Sequence, residues 1–267
     1  MFTIITPVLN GMPYLPDAVH SLAKESETTP IQHIIMDGGS TDGTIEWLKD
    51  NQDLGFEICL DSDNSQSEAL RNGFTKAHGQ FMGWLNADDI LEPGAIIKVK
   101  TAFLEQRDCV AVSGAALVIN EHNHIIGSTR ELPDGDLNSL LTRLQNIPQP
   151  STFFRRDIYE RTPGIDLSLH YAMDVDLWLK LAKHGPVHVL KNDILSRVRI
   201  HSDAKTVKNQ DATAREDLKV RLRHGMRWAP RTTLHLSKRA FAYPLLRPLQ
   251  RVIQKMISRA ASKGPRS

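Results

Sequence analysis

The chain is short of several features that would assign it to a large class at once. It has only two cysteines in 267 residues. Cys59 and Cys109 both fall in strand-like runs, and a lone pair of that kind reads as two buried thiols, not a disulfide framework. No apolar run approaches the ~18 residues of a membrane-spanning helix. The first residues, MFTIITPVLNG, lack the basic segment, apolar stretch and small-residue cleavage site of a signal peptide and read as a strand. The expected location is therefore the cytoplasm. Internal repeats and low-complexity segments are absent. Acidic residues are missing from one region altogether: between Lys219 and Ser267 there are thirteen Lys or Arg and no Asp or Glu. Subtracting these from the 33 basic residues leaves twenty against all 31 acidic ones, a net of −11 before that point. An acidic body thus carries a basic tail.

What is present is an ordinary globular composition, 40% hydrophobic and 24% charged, in a strand–helix alternation. FTIIT at 2–6 is a β-branched run, and Tyr14 to Glu25 has helical spacing. Gln32 to Met36, Phe56 to Leu60 and Phe81 to Leu85 read as strands. Ile45 to Lys49 and Ser65 to Ala77 read as the helices between them. This order predicts an α/β fold with a mostly parallel sheet covered on both faces. The second half is less regular: a helix from Pro93 to about Gln106, a strand from Cys109 to Ile119 with a returning hairpin at Ile125-Ile126, and a short strand leading into a helix in QPSTFFRR. A further helix runs from Asp174 to His184, and strands follow at Pro186 to Leu190 and Ile194 to Ile200.

Ligands of open α/β sheets gather beyond the carboxyl ends of the strands. Three polar clusters fall there: Thr6-Pro7 with Asn10, Asp37-Gly38-Gly39-Ser40, and Asn86-Ala87-Asp88-Asp89. One such cluster would be only a loop, since loops are polar anyway; three on one rim point to a site. Asp88 and Asp89 would repel each other at a buried strand end. A hard divalent cation, Mn²⁺ or Mg²⁺, held between carboxylates and substrate phosphates would relieve that and neutralise a diphosphate leaving group. Asp37 could accept from a nucleobase or ribose, while the glycines after it allow a tight turn that Ser40 or Asp42 would cap. No Gly-Lys-Ser/Thr follows, and the loop is not GxGxxG. Spacing favours Asp174, in YAMDVDLW, as a helix N-cap, with general base as the alternative, and Asp176 as structural. His201 reads by default as an ordinary surface or core histidine, with a place in a metal shell as the minority role. Lys205 reads as solvated, with a phosphate contact as the alternative.

TPVLN, IIMDGGSTDGT, SQSEALRNGF, GWLNADD, QPSTFFRR and YAMDVDLWLKL together, in this order, closely resemble glycosyltransferase family 2, most of all its bacterial polysaccharide-building members, over residues 2–205. The resemblance implies a GT-A fold, with a nucleotide-binding half at 1–92 and an acceptor half at 93–217. It implies inverting, Mn²⁺- or Mg²⁺-dependent transfer from a nucleotide-diphosphate sugar, most commonly a UDP-sugar, to a saccharide or lipid-linked acceptor. By position it assigns Thr6, Pro7, Asn10, Asp37, Gly38, Ser67, Arg71, Asn86 and Asp88 to the sugar nucleotide. The metal falls to Asp89, with Asp88 and His201 near it, the catalytic base to Asp174, and a site-facing polar role to Gln149. Two departures stand out. Met173-Asp174 replaces the usual acid-acid pair, and Arg71 stands where Asn is frequent, so that it either pairs with diphosphate or alters sugar preference. The competing readings are a nucleotidyltransferase, which usually begins with a glycine-rich loop that TPVLNGMPY lacks, and a catalytically silent sugar-nucleotide binding or assembly protein.

Residues 218–267 form the tail. Leu249, Val252, Ile253, Met256, Ile257 and Ala260 recur at helical spacing with Arg251, Lys255 and Arg259 opposite. This basic amphipathic helix suits an anionic membrane surface, and equally a helix packed on the acidic body or an oligomer contact. Nucleic acid is not an expected partner, since aromatics for base stacking are sparse there.

Overall fold

The structure, a computed structural model, describes residues 1–60, 65–129, 132, 135–142, 147–202, 204–226 and 230–237. The amphipathic helix expected over 249–260 lies outside them. The elements of the first half are β1 (Phe2–Val8), α1 (Leu15–Ser26), β2 (Ile31–Asp37), α2 (Thr44–Asp50), β3 (Phe56–Leu60), α3 (Gln66–Thr75), β4 (Phe81–Trp84) and β5 (Ile90–Leu91). There follow α4 (Ala95–Glu105), β6 (Ala111–Ile119), β7 (Ile125–Ser128), α5 (Leu137–Thr142), β8 (Thr152–Arg155), α6 (Arg156–Tyr159), α7 (Met173–Leu181), β9 (Val187–Arg199), α8 (Lys205–Lys208), α9 (Gln210–Arg223) and α10 (Pro230–Ser237).

The strands make one sheet in the order β3-β2-β1-β4-β8-β6-β9-β5, with β7 paired to β6. The β3-β2-β1-β4 ladder is parallel throughout, as the alternation predicts. β8 then runs antiparallel to β4 and β6, while β6 and β9 are parallel. All seven residues of β1 are buried, the pattern of a strand covered on both faces. One face packs Phe81 on Phe103 at 4.1 Å, beneath α1 and α4. The other stacks Trp84 on Trp178 of α7 at 5.3 Å. Two helix starts are held by distant carboxylates. The buried Glu25 of α1 accepts from Gly94 and Ile96 N–H at the start of α4, and Glu216 of α9 does the same for α7.

The rim opens where β1 outlasts β4. Ile5 accepts from Leu85 N–H, the last bond on that side. Alternate residues of a strand point their amides the same way, so Pro7, which has no N–H, faces the side where β4 has ended. That notch lies at the point where strand order reverses.

Three readings change here. The two strands expected over 186–200 are one, Val187–Arg199, with its register shifted opposite Gly114–Ala116. Asp174 is not an N-cap: Ala172 caps α7, and Asp174 is its second residue. Finally α9 runs unbroken from Gln210 to Arg223, across the boundary expected at 217–218.

Candidate active site

A cavity of about 890 Å³ opens on this rim, lined among others by Pro7, Asn10, Asn86, Asp88, Asp89, Gln149, Tyr171, Asp174, His201 and Lys205. That is the size of a pocket for a drug-sized molecule or a nucleotide.

Its floor is built from the β1 and β2 loops. Asn10 takes φ of 56°, which asparagine tolerates. Its N–H donates to Ser40 Oγ at 2.7 Å, and its Oδ1 accepts from Thr41 N–H at 2.8 Å. Gly11 N–H reaches Thr44 Oγ1, and Met12 N–H reaches Asp42 Oδ2. The turn after Asp37 is therefore structural, but neither Ser40 nor Asp42 is the N-cap of α2: that position is Gly43, and Asp42 Oδ1 accepts from Thr44 N–H just inside the helix. Asp37 is not used up by the turn. Its Oδ1 accepts from Gly39 and Ser40 N–H, while Oδ2 is buried with no hydrogen-bond partner among the described residues.

The two aspartates after β4 differ in environment. Asp89 is 3% exposed. Its Oδ1 accepts from Arg199 N–H at 3.1 Å and its Oδ2 from the Asn86 amide at 3.2 Å. Burial first, then the Asp88 charge, pushes its carboxyl well above the usual range. Asp88 points outward instead, its Oδ2 3.0 Å from His201 Nε2. Asn86 ties the loop together, accepting from Gln66 Nε2 and donating to Gln149 Oε1, while Gln149 donates to the Trp84 carbonyl. The buried Arg199 fastens the same loop from below. Its guanidinium donates to the Asp88 carbonyl, Asp17 Oδ2 and Asn123 Oδ1, and lies 4.7 Å from the Tyr14 ring centre. Arg199 is not among the candidates read from the sequence, although its alternation with Arg197 about Val198, in RVRIH, puts the two arginines on one face of the strand just before His201.

Asp174 faces the cavity from α7. It is half-buried, and Oδ1 accepts from Val175 N–H at 2.8 Å. Dense surroundings push its carboxyl up to about 6; the Val175 N–H and Arg221 pull it back, and the Asp217 charge adds to the rise. Two residues on, Asp176 is buried among His224, Lys180 and Arg223 at 2.6–2.7 Å. Burial alone would raise its carboxyl, but these cations and hydrogen bonds hold it well below the usual range.

Five residues assigned to the sugar nucleotide do not line this cavity. Asp37 is 1% exposed and lies beneath the floor. Thr6 is fully buried, its Oγ1 2.9 Å from Nε2 of His33, whose pKa burial pushes down to about 3. Gly38 donates its N–H to the Val8 carbonyl and does not line the cavity. Ser67 is buried and donates to the Leu169 carbonyl at 2.5 Å. Arg71 lines a different hollow, with Asp166, Lys180 and Arg223, because a helix face that carries residue 66 to the rim carries residue 71 past it.

A family model described as "Glycosyl transferase family 2" matches residues 3–162. The chain belongs to glycosyltransferase family 2. It is 24% identical over 213 residues to the chondroitin synthase of Pasteurella multocida, covering 79% of this chain and 22% of that one. Eight of the curated relatives it matches are spanned over 21% to 67% of their lengths. Its fold is GT-A. S. aureus TarS 1-349 in complex with UDP-GlcNAc superposes with a TM-score of 0.67 at 15% identity, over 90% of this chain and 70% of that one. The mannosyltransferase PcManGT from Pyrobaculum calidifontis, in complex with GDP-Man and Mn²⁺, gives 0.66 at 16% identity, over 99% and 76%.

A divalent cation fits the donor set at Asp88 and His201. One outward carboxylate and one imidazole sit within 3.0 Å of each other on the cavity wall, a combination that suits Mn²⁺. No group of three or more His, Cys, Asp or Glu that could hold a metal ion gathers among the described residues; cations of this class commonly take phosphate oxygens and water beside one or two protein ligands.

Proposed function

We propose that this cavity transfers a sugar from a nucleotide-diphosphate sugar, UDP being the expected nucleotide, to a hydroxyl of a saccharide or lipid-linked acceptor, with inversion. The observation that carries the reading is the sharing of one cavity by two unlike acidic centres: an outward carboxylate–imidazole pair, Asp88 and His201, and a lone carboxylate of raised pKa, Asp174. Asp88 and His201 would hold Mn²⁺ or Mg²⁺, whose charge favours the departing diphosphate. Asp89, with both oxygens engaged, anchors the loop from inside. Lys205, beside Tyr171 at 5.4 Å and also lining the cavity, would meet the diphosphate. Asp37 Oδ2 accepts from a nucleobase N–H. Asp174 takes the proton of the acceptor hydroxyl; its oxygen bonds to the anomeric carbon as the bond to diphosphate breaks on the far side. The mannosyltransferase that superposes on this chain was solved with Mn²⁺, which supports the cation's place in the scheme.

A thermal-shift series of the wild type and Asp88→Ala with UDP, GDP and dTDP, each with Mn²⁺ or EDTA, tests this. A nucleotide at about a hundred times its Kd stabilises by ~2.7 kcal/mol. One of the three is expected to raise the wild-type Tm with Mn²⁺ and to lose that effect in EDTA and in Asp88→Ala. Equal shifts in all these conditions, or none, would remove the metal–diphosphate reading.

A further inference from the structure

α9 does more than cover the sheet. Its buried Asp217–Arg221 pair, 2.6 Å apart, and the Arg221 bond to the Leu141 carbonyl fix it against α5 and α7. From this fixed helix the Glu216 carboxylate reaches the start of α7. Oε1 and Oε2 both accept from His170 N–H at 3.0 Å, and Oε2 also accepts from Tyr171 N–H at 2.5 Å and Ala172 N–H at 2.8 Å. Three successive amides thus converge on one carboxylate at the positive end of a helix. Ala172, the N-cap, offers no side-chain acceptor of its own. His170 and Tyr171 line the catalytic cavity, and Asp174 follows two residues after Ala172. The donor side of the cavity hangs from β1, β4 and β9; the base lies in the first turn of α7, which this segment opens and whose later turns are held by Trp178 and Asp176.

We propose that Glu216 is a positioning residue that sets the place of the Asp174 carboxylate relative to the bound donor, an inference that rests on Asp174 being the base. A displacement of about 1 Å at a reacting group costs on the order of a hundredfold in rate, and the strap at 170–172 is the last backbone fixed before that group.

The test compares wild type, Glu216→Ala, Glu216→Gln and Asp174→Asn by nucleotide release from UDP-GlcNAc and GDP-mannose with Mn²⁺, by UDP and GDP affinity, and by carbon-13 titration of the Asp174 carboxyl. Glu216→Ala is expected to lower kcat by about 30- to 100-fold, with donor KM and nucleotide affinity within about threefold of wild type. Its Asp174 carboxyl should titrate below about 6, because a loosened helix start admits water. Glu216→Gln should recover most of the loss, since its amide oxygen can accept where Oε2 does. A kcat within twofold of wild type in Glu216→Ala, or an unmoved Asp174 titration, would overturn the positioning role. So would a loss of turnover matched by an equal loss of nucleotide affinity. Full turnover by Asp174→Asn is a different result: it removes the base, and the role of Glu216 with it. The titration reads out whether or not either donor is turned over.

Discussion

Asp174 binds its proton more tightly in the folded chain than an unfolded aspartate does, about 6 against 3.8. Between those values the native state holds the extra proton, so stability falls as pH rises through that window. The cost is absent below about pH 4 and complete above about pH 6; for this half-buried group it is on the order of 1–2 kcal/mol. Asp174→Asn should therefore be more stable than wild type at pH 8 by about that amount and equal to it at pH 4, by urea unfolding. Its turnover should drop by about 10²- to 10⁴-fold, while wild-type turnover climbs through an ascending limb near pH 6. A base elsewhere would leave turnover intact. This residue was legible as a candidate because an aspartate opens a helix after a turn, but its burial was not. The same holds for Asp88 and Asp89. Sequence shows two acids side by side. Only the packing of Arg199 N–H and the Asn86 amide shows that Asp89 faces inward and Asp88 faces His201. Ser67 and Arg71 failed for a related reason: helical position tells which face a residue shares, and the neighbour waiting on that face, the Leu169 carbonyl for Ser67, has to be seen.

At the scale of elements, the parallel half was legible almost residue by residue. Its β-branched runs are short, fully buried and separated by turn chemistry, and Phe56–Leu60 falls within its expected bounds. The second half was harder. Lys191-Asn192-Asp193 interrupts the apolar pattern of β9 without interrupting the strand, because the register shift opposite Gly114–Ala116 absorbs it. β5 has only two residues and no periodicity to detect. Yet β5 and the end of β9 together pin the loop that carries Asp88, through Arg199. Arg199→Ala would delete a guanidinium that is 1% exposed and donates to Asp88, Asp17 and Asn123. The expected loss is about 3 kcal/mol of unfolding free energy, the scale for breaking a buried charged contact. The stabilisation by nucleotide with Mn²⁺ should disappear as well, with the loop no longer held. Arg199→Lys should fall between the two, having charge but not the planar fork. If Arg199→Ala unfolds at the wild-type urea midpoint, the loop is held by other contacts.

The whole molecule is polarised in charge. Residues 1–218 carry a net of −11, and the eight Lys or Arg beyond Ser237 are accompanied by no acid. Among the described residues no helix is long and apolar enough to cross a membrane, so attachment through these elements would have to be lateral. Near an anionic surface each basic residue contributes about 1 kcal/mol, and the attraction falls off within a Debye length of about 8 Å at physiological salt. The net negative charge of residues 1–218 offers these charges a second partner of the same sign as an anionic lipid. Salt does not separate the two partners, because it weakens both contacts, whereas lipid charge does, because it acts on one. The full chain is expected to sediment with vesicles containing one third phosphatidylserine and to remain in solution with neutral phosphatidylcholine vesicles. Arg251→Gln, Lys255→Gln and Arg259→Gln combined, about 3 kcal/mol of surface attraction on the same scale, should abolish most of the binding without moving the Tm of a body whose core lies in the sheet. A chain ending at Ser237 keeps α9 intact, as one ending at Asp217 would not, since Arg221 is buried against α5. It should stay unbound at any lipid composition. Sedimentation of both altered proteins equal to the full chain would rule out anchoring by the tail; a raised Tm of the full chain over the shortened one at a protein concentration where both are monomeric would then assign it to the acidic body.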